Sequence, residues 1–223
     1  TAFIGAILSL IPLGQPLIIK TGVVLSSSTV MLSLPEKVYA GDNSYYFNRA
    51  YDKAERGDYY GAIADYTKAI EIDPNDFKAF NNRGNSKDDL KDYEGAISDY
   101  TKAIEINPNY EKAYFNRGLA KRKINDYYGA IADYKKAIVI NPQYAAAYNN
   151  IAFIKRKKEI NDNYGAIIYA TKAIEIDPND SNYYLNRGVA KENLGDMKGA
   201  CDDWRKASSL GNESTAKWVR DQC

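Results

Sequence analysis

The sequence contains no histidine and only two cysteines. Without histidine, nucleophile–base pairs that depend on it and metal sites that it ligates are excluded. The two cysteines, Cys201 and Cys223, are too few for a zinc site made of cysteine alone. No glycine-rich phosphate-binding loop occurs either. The sequence therefore predicts no catalytic residue, no metal and no other cofactor, and we expect a protein that is not an enzyme.

Net charge is also almost absent, at +1 for the whole chain. A chain this close to neutrality is not drawn as a whole to polyanions, and we predict no nucleic-acid partner. Hydrophobic residues make up 45% of the 223 residues, which is enough for a sizeable core. The aspartates and glutamates recur with the helical pattern described below, so we interpret them as solvated helix faces and helix caps.

Charge is scarcest in residues 1–40, which contain only Lys20, Glu36 and Lys37. A basic residue, an apolar stretch and the small-residue ending Val38-x-Ala40 are typical of a secretory signal peptide cleaved after Ala40. The apolar stretch 3–19 is only just long enough to span a bilayer, so an uncleaved membrane anchor is the alternative. Both interpretations predict an extracytoplasmic location (periplasm, lumen or secreted) or a membrane-anchored one, with membrane association through residues 1–40.

Beyond this segment, one pattern recurs with a period of 34 residues. The motif Gly-Ala-Ile-x-Asp-Tyr-x-Lys-Ala-Ile-x-Ile-Asn/Asp-Pro occupies 61–74, 95–108 and 129–142, and looser copies occupy 165–178 and 199–212. A fixed period of this length indicates a stack of similar units, each of which buries its apolar face on its neighbours.

Each unit is predicted to contain helix A, a turn and helix B. Small residues such as Ala62, Ala69 and Gly84 recur where two helices would approach closely. An aspartate such as Asp58 stands where it can cap helix B. The Asn/Asp-Pro step closes helix B, because the residue before proline resists helical geometry.

This arrangement of small, aromatic and proline positions resembles the tetratricopeptide repeat. The resemblance implies an all-α, right-handed superhelical solenoid of antiparallel helix pairs. The repeat domain is predicted to span 41–212, with units at 43–76, 77–110, 111–144, 145–180 and 181–212 and a C-terminal capping helix at 213–223. The family also implies a concave groove lined by A helices, which typically binds a peptide or partner protein and performs no chemistry.

Two functions remain open at this point. One is a non-enzymatic protein–protein interaction scaffold that binds its partner in the groove. The other is a membrane-tethered assembly factor for a larger membrane complex, similar to family members that assist photosystem or envelope machinery.

An asparagine occupies the sixth position of every A helix. These residues are Asn48, Asn82, Asn116, Asn150 and Asn186. The resemblance places this position in the groove, where an amide can both donate to and accept from the backbone of an extended chain. The alternative is that asparagine belongs to the repeat consensus and has no binding role.

Basic residues concentrate in repeats three and four. The set that we call the basic patch comprises Lys121, Arg122, Lys123, Lys155, Arg156, Lys157 and Lys158. Both runs fall late in helix A of adjacent units, so stacking should bring them together. We expect this patch to receive an acidic segment of a partner or an anionic membrane surface, and the alternative is a solvated face.

The two cysteines flank a turn at Gly211. Cys201 precedes that turn by ten residues and Cys223 follows it by twelve. In an antiparallel helix pair the two sites stand at nearly the same height, because a helix rises about 1.5 Å per residue. A disulfide is geometrically plausible and fits an oxidising compartment, and two free cysteines are the alternative.

Repeat four departs from the other units. It has two extra residues between Ala152 and Ala166, Ile151 in place of arginine, and Tyr169-Ala170 in place of Asp-Tyr. These changes indicate either drift or a local kink beside the basic patch.

Overall fold

The computed structural model describes residues 42–223, and within them it contains eleven α-helices and no strand. The predicted signal peptide or anchor at 1–40 lies outside the described residues. Ten helices form five A–B pairs, one per repeat: α1 (Asn43–Glu55) with α2 (Tyr59–Ile72), α3 (Phe77–Asp89) with α4 (Tyr93–Ile106), α5 (Glu111–Lys123) with α6 (Tyr127–Ile140), α7 (Ala145–Lys155) with α8 (Asn163–Ile176), and α9 (Ser181–Asn193) with α10 (Met197–Ser209). The last helix, α11 (Glu213–Gln222), packs on α10.

Aspartate caps begin every B helix, as the sequence predicts. Asp58 accepts a hydrogen bond from the backbone N–H of Gly61 at 2.9 Å, which satisfies a donor that has no partner inside the helix. The same bond recurs at Asp92, Asp126, Asp162 and Asp196. A Cβ on Gly61 would lie 2.1 Å from Asp58 Oδ2, so a larger residue there would require the Asp58 side chain to move.

The core consists of small residues packed against large aromatic ones. Ala62, Ala69 and their counterparts in later repeats are fully buried, and Tyr66, Tyr100, Tyr134 and Trp204 are each at most 2% exposed. A Cβ on Gly84 would lie 2.7 Å from the Tyr100 ring. The small residues therefore let the A and B helices approach closely, as expected.

Four aspartates of the B helices are buried and ion-paired, so their interpretation as solvated faces is wrong. Asp65 is 2% exposed and accepts two hydrogen bonds from the Arg49 guanidinium, at 2.6 and 2.7 Å, while Lys53 Nζ lies 2.8 Å away. The same Arg–Asp–Lys triad recurs as Arg83–Asp99–Lys87, Arg117–Asp133–Lys121 and Arg187–Asp203–Lys191. The fork of the arginine and the lysine ammonium together compensate the desolvation of the carboxylate.

These arginines also connect neighbouring repeats. Arg83 Nη1 donates to the Thr67 hydroxyl of the preceding repeat at 3.0 Å. Arg117 does the same to Thr101 at 3.0 Å, and Arg187 to Thr171 at 3.2 Å. Arg49 of the first repeat instead donates to the Tyr45 hydroxyl of its own helix. Three of the four triads therefore stabilise both a helix pair and the contact between two repeats.

Repeat four replaces the triad with apolar packing. Ile151 and Ala170 are fully buried, and Lys155 pairs with Asp162 instead of a B-helix carboxylate. The two extra residues fall within the turn between α7 and α8, where Asn161 has a φ of 50°. The deviations of this repeat are therefore coordinated, because the arginine and its aspartate are lost together.

The cap closes the C-terminal end of the stack. The rings of Trp204 on α10 and Trp218 on α11 lie 5.2 Å apart, centroid to centroid. A disulfide joins Cys201 to Cys223, with their Cα atoms 5.7 Å apart. The end of α11 is thus covalently attached to the beginning of α10.

Candidate functional site: the groove along the A helices

Three depressions follow the A helices, and we call this surface the groove. The first, of about 360 Å³, lies between repeats one and two. The second, of about 260 Å³, lies between repeats two and three and shares Asn85 and Asp89 with the first. The third, of about 580 Å³, is lined by the turn after α7 and by α9.

Two of the predicted asparagines line the groove. Asn82 faces the first depression and Asn116 faces the second. The Asn116 amide donates to Asn81 Oδ1 at 3.1 Å and to Asn85 Oδ1 at 3.0 Å, and Asn85 Oδ1 also accepts from the Tyr100 hydroxyl at 2.9 Å. These bonds hold the amides in fixed orientations before any ligand arrives.

The other three asparagines have different surroundings. Asn48 is exposed. Asn150 donates to the Ala146 carbonyl of its own helix at 2.8 Å. Asn186 departs from the prediction, because it is only 4% exposed, donates to Asn149 at 2.7 Å and accepts from Arg156 at 3.0 Å. Of the five predicted asparagines, only Asn82 and Asn116 therefore line the depressions of the groove.

The structure divides the basic patch into compensated and uncompensated charges. Lys121 pairs with Asp133, Lys123 with Asp88 and Lys155 with Asp162. Arg156, Lys157 and Lys158 lie in the turn beyond the end of α7 rather than late in helix A as predicted. Three of the seven charges are thus neutralised by carboxylates, which the sequence pattern did not reveal.

Three of the remaining cations surround one aromatic ring. The Arg122 and Arg156 guanidinium carbons lie 5.1 and 4.9 Å from the centroid of Phe153, and Lys157 Nζ lies 5.7 Å from it. We call Arg122, Arg156, Lys157 and Phe153 the cation cluster. Within residues 42–223 none of the three cations has a carboxylate ion-pair partner, and Arg122 Nε is buried without a hydrogen bond. Burial also lowers the pKa of Arg156.

The opposite end of the groove is acidic and aromatic. The first depression is lined by Glu55 and Asp89 and by three tyrosines, Tyr51, Tyr59 and Tyr66. Burial raises the pKa of Asp89, and the nearby Asp88 carboxylate raises it further. No cation in the described part of the chain pairs with either Glu55 or Asp89. We call these five residues the acidic pocket.

Sequence reasoning missed the acidic pocket, although a signal for it exists. At positions twelve and thirteen of the A helices, repeat two has Asp88-Asp89 and repeat three has Arg122-Lys123, and the equivalent residues of repeat four, just beyond α7, are Arg156-Lys157. Comparing equivalent positions between repeats, rather than counting charge by segment, would have shown this change of sign.

Neither a metal site nor a membrane span is evident in this region. Across residues 42–223, no three side chains of Cys, Asp or Glu are grouped so that they could hold a metal ion. In the same range, no helix is both long and apolar enough to cross a bilayer.

Comparison with known sequence families identifies the repeats. Profiles described as tetratricopeptide repeat match residues 77–110, 111–144 and 169–202, and one described as TPR repeat matches 50–87. The protein belongs to the tetratricopeptide repeat family. No curated protein sequence matches the chain. The protein is therefore a TPR-type interaction scaffold. Proteins of this class are generally non-enzymatic.

Solved structures of TPR proteins share this fold. A crystal structure of MamA is 27% identical, with a TM-score of 0.68 over 79% of this chain and 94% of its own. The crystal structure of YrrB, described as a TPR protein with an unusual peptide-binding site, is 19% identical, with a TM-score of 0.67 over 82% and 94%. PilF of Pseudomonas aeruginosa is 17% identical, with a TM-score of 0.70 over 81% and 86%. The similarity to YrrB and PilF shows a shared fold only. The predicted all-α solenoid is confirmed.

Proposed function

We propose that the protein is a non-enzymatic scaffold whose groove binds an extended segment of a partner peptide or protein. The observation that carries this proposal is the oriented set of amides at Asn82, Asn85 and Asn116, which lines two adjoining depressions. An extended chain presents N–H and C=O groups that a carboxamide can pair with. Because hydrogen bonds already hold Asn85 and Asn116, little side-chain entropy is lost on binding.

Peptide selection followed by calorimetry tests this proposal. Peptides selected from a random library on the described domain should lose about tenfold in affinity when Asn82 and Asn116 are both changed to alanine. Asn75→Ala provides the control, because Asn75 is exposed in the turn between repeats one and two. Unchanged affinity in the Asn82→Ala/Asn116→Ala variant, with its circular dichroism preserved, would contradict the role of these amides.

The partner segment is expected to carry acidic side chains. The cation cluster supports this, because its three uncompensated cations favour anionic side chains and speed their encounter. We favour a peptide over an anionic membrane surface, because the cations gather around Phe153 instead of projecting separately from a helix.

Membrane-tethered assembly is the second candidate function. The apolar, nearly uncharged composition of residues 1–40 favours it if that segment is an uncleaved anchor, whereas a cleaved signal peptide would favour export without a tether. The Cys201–Cys223 disulfide favours an oxidising, extracytoplasmic compartment. Fractionation of the native host with N-terminal sequencing separates the two possibilities. A mature N-terminus at Gly41 supports export, and an intact N-terminus in the membrane fraction supports tethering.

A further inference from the structure

We infer that the groove recognises a bipolar segment in a fixed orientation, with basic side chains at repeats one and two and carboxylates at repeats three and four. The inference rests on the proposed peptide-binding function and adds the charge pattern of the ligand. Its basis is that carboxylates of repeats one and two and cations of repeats three and four, none of them in a salt bridge, lie at the C-terminal ends of A helices or in the turn that follows α7.

The acidic pocket suits a lysine or arginine side chain. Glu55 and Asp89 supply two carboxylates that form no salt bridge within the described residues, although Lys123 is near enough to lower the pKa of Asp89. Tyr51 and Tyr59 supply aromatic rings beside them. Cations bind aromatic faces and carboxylates together, and the apolar stem of a lysine or arginine can pack along the rings. The depression of about 360 Å³ has room for one such side chain.

The cation cluster suits a carboxylate. Arg122 and Arg156 lie beside the Phe153 ring, and Arg156 Nε donates to Asn186 Oδ1. A guanidinium group carries further N–H donors besides Nε, and these can bind a planar carboxylate. Lys157 adds a third donor at 5.7 Å from the same ring.

The two ends are separated by a neutral boundary. Lys123 of repeat three pairs with Asp88 of repeat two, so these two charges neutralise each other between the acidic pocket and the cation cluster. Between α3 and α7 there are two repeat steps, and packed helices lie about 8–10 Å apart, so the ends are about 20 Å apart. An extended chain covers that distance with about six residues.

Orientation follows from repulsion as well as attraction. Reversing the segment would place carboxylates beside Glu55 and Asp89 and ammonium groups beside Arg122. Like charges brought together across an interface are costly, so the wrong orientation is rejected.

Fluorescence polarisation with synthetic peptides tests the inference. One labelled peptide carries a lysine block, a neutral spacer of about six residues and a glutamate block, and the others replace either block with glutamine. We expect the bipolar peptide to bind about tenfold more tightly than either single-block peptide. A spin label at its glutamate end should broaden NMR signals of Phe153, and one at its lysine end those of Tyr51.

Paired variants test each end separately. Glu55→Gln/Asp89→Gln should weaken the bipolar peptide to the level of the glutamate-only peptide and leave the latter unchanged. Arg122→Gln/Lys157→Gln should weaken the bipolar peptide to the level of the lysine-only peptide and leave the affinity of the lysine-only peptide unchanged. The charge-matched controls Glu71→Gln/Glu94→Gln and Lys135→Gln/Lys136→Gln change exposed residues outside the groove-lining set and should alter neither affinity.

The possible failures can be told apart. If the glutamate-only peptide binds as tightly as the bipolar one, the inference is overturned, while sensitivity to Asn82→Ala/Asn116→Ala would keep the peptide-binding function. If no peptide binds, including those selected from the random library, both are overturned. Binding to phosphatidylserine vesicles that displaces the peptides would assign the cation cluster to a membrane surface and also overturn the inference.

Discussion

At the scale of single residues, the buried aspartates show how this solenoid tolerates charge in its interior. Asp203 is 4% exposed, yet Arg187 and Lys191 satisfy both of its oxygens. Removing one partner from such a group leaves buried charge uncompensated, which costs more than the intact group contributes. These residues are therefore sensitive positions even though they lie outside the groove.

Substitution of Asp203 by asparagine should destabilise the protein by about 3–5 kcal/mol, because Arg187 and Lys191 lose their shared acceptor. The adjacent Asp202→Asn is a matched control, since Asp202 is exposed and pairs only with Arg205, and it should change stability by about 0.5 kcal/mol or less. Urea unfolding followed by circular dichroism measures both. Equal effects of the two substitutions would contradict a structural role for the triad.

Lowering the pH should likewise remove the contribution of the Asp65 carboxylate to folding stability. Burial alone would raise its pKa, but hydrogen bonds from Arg49 and Lys53 outweigh burial and lower it below the usual value. A carboxylate with a lowered folded-state pKa contributes stability above its unfolded pKa of about 3.9 and loses it as pH falls further through the folded-state value. Between pH 5 and the acid range, urea midpoints of the wild type should therefore fall more steeply than those of Asp65→Asn. Parallel pH profiles would rule this contribution out.

At the scale of helices and repeats, repeat four shows that the ionic triad can be exchanged for apolar packing. Ile151 occupies the position of the arginine, and Tyr169 that of the aspartate. Both changes are needed together, because either partner alone would be a buried charge without compensation.

A double-mutant cycle tests this exchange. Ile151→Arg should destabilise the protein by about 3–5 kcal/mol by burying an unpaired guanidinium. Adding Tyr169→Asp should recover about 1–3 kcal/mol through the restored pair. The measurement is the urea unfolding midpoint of the wild type, both single variants and the double variant. Purely additive changes in the free energy of unfolding would show that the two side chains do not interact.

The C-terminal cap depends on a covalent bond as well as on packing. The disulfide closes a sequence separation of 22 residues, and in the chain-entropy view a loop of this size contributes about 3 kcal/mol. Reduction should therefore loosen α11, and Trp218 emission should shift to longer wavelength as its contact with Trp204 opens. Cys201→Ser/Cys223→Ser should show the shifted emission without reductant, and reductant should not change it further. A wild type with unchanged emission after complete reduction would argue that packing alone holds the cap.

At the scale of the whole molecule, two sets of charges respond differently to solvent. The triad carboxylates are buried within the stack, whereas the acidic pocket lines one open depression and Arg156 and Lys157 of the cation cluster line another. Salt screens exposed charges far more than buried ones. The protein can therefore bind its partner through salt-sensitive forces without being salt-sensitive in its own stability.

Raising the salt concentration should separate these two behaviours. Between 0.1 and 1 M salt the Debye length falls from about 10 to 3 Å, so the affinity of the groove for the bipolar peptide should fall by about tenfold or more. The unfolding midpoint should change little over the same range. Equal salt sensitivity of peptide affinity in wild type and Arg122→Gln/Lys157→Gln would contradict the assignment of the charged ends.

The repeat itself was determined by the sequence alone. The caps at Asp58 and its counterparts, the alanines of the helix contacts and the prolines that close the B helices act over a few residues, and each unit repeats them. Local geometry and a shared period therefore sufficed to predict the all-α solenoid.

Only the tertiary structure decided which charges remain available. Arg49 and Asp65 are sixteen residues apart, and Lys123 and Asp88 are thirty-five apart, so these pairs form only when helices stack. Such pairs neutralise Lys121, Lys123 and Lys155 but leave Arg122, Arg156 and Lys157 around Phe153. The sequence specifies the signs of the charges, but electrostatic compensation depends on distances between packed helices, within and between repeats, that no local pattern encodes.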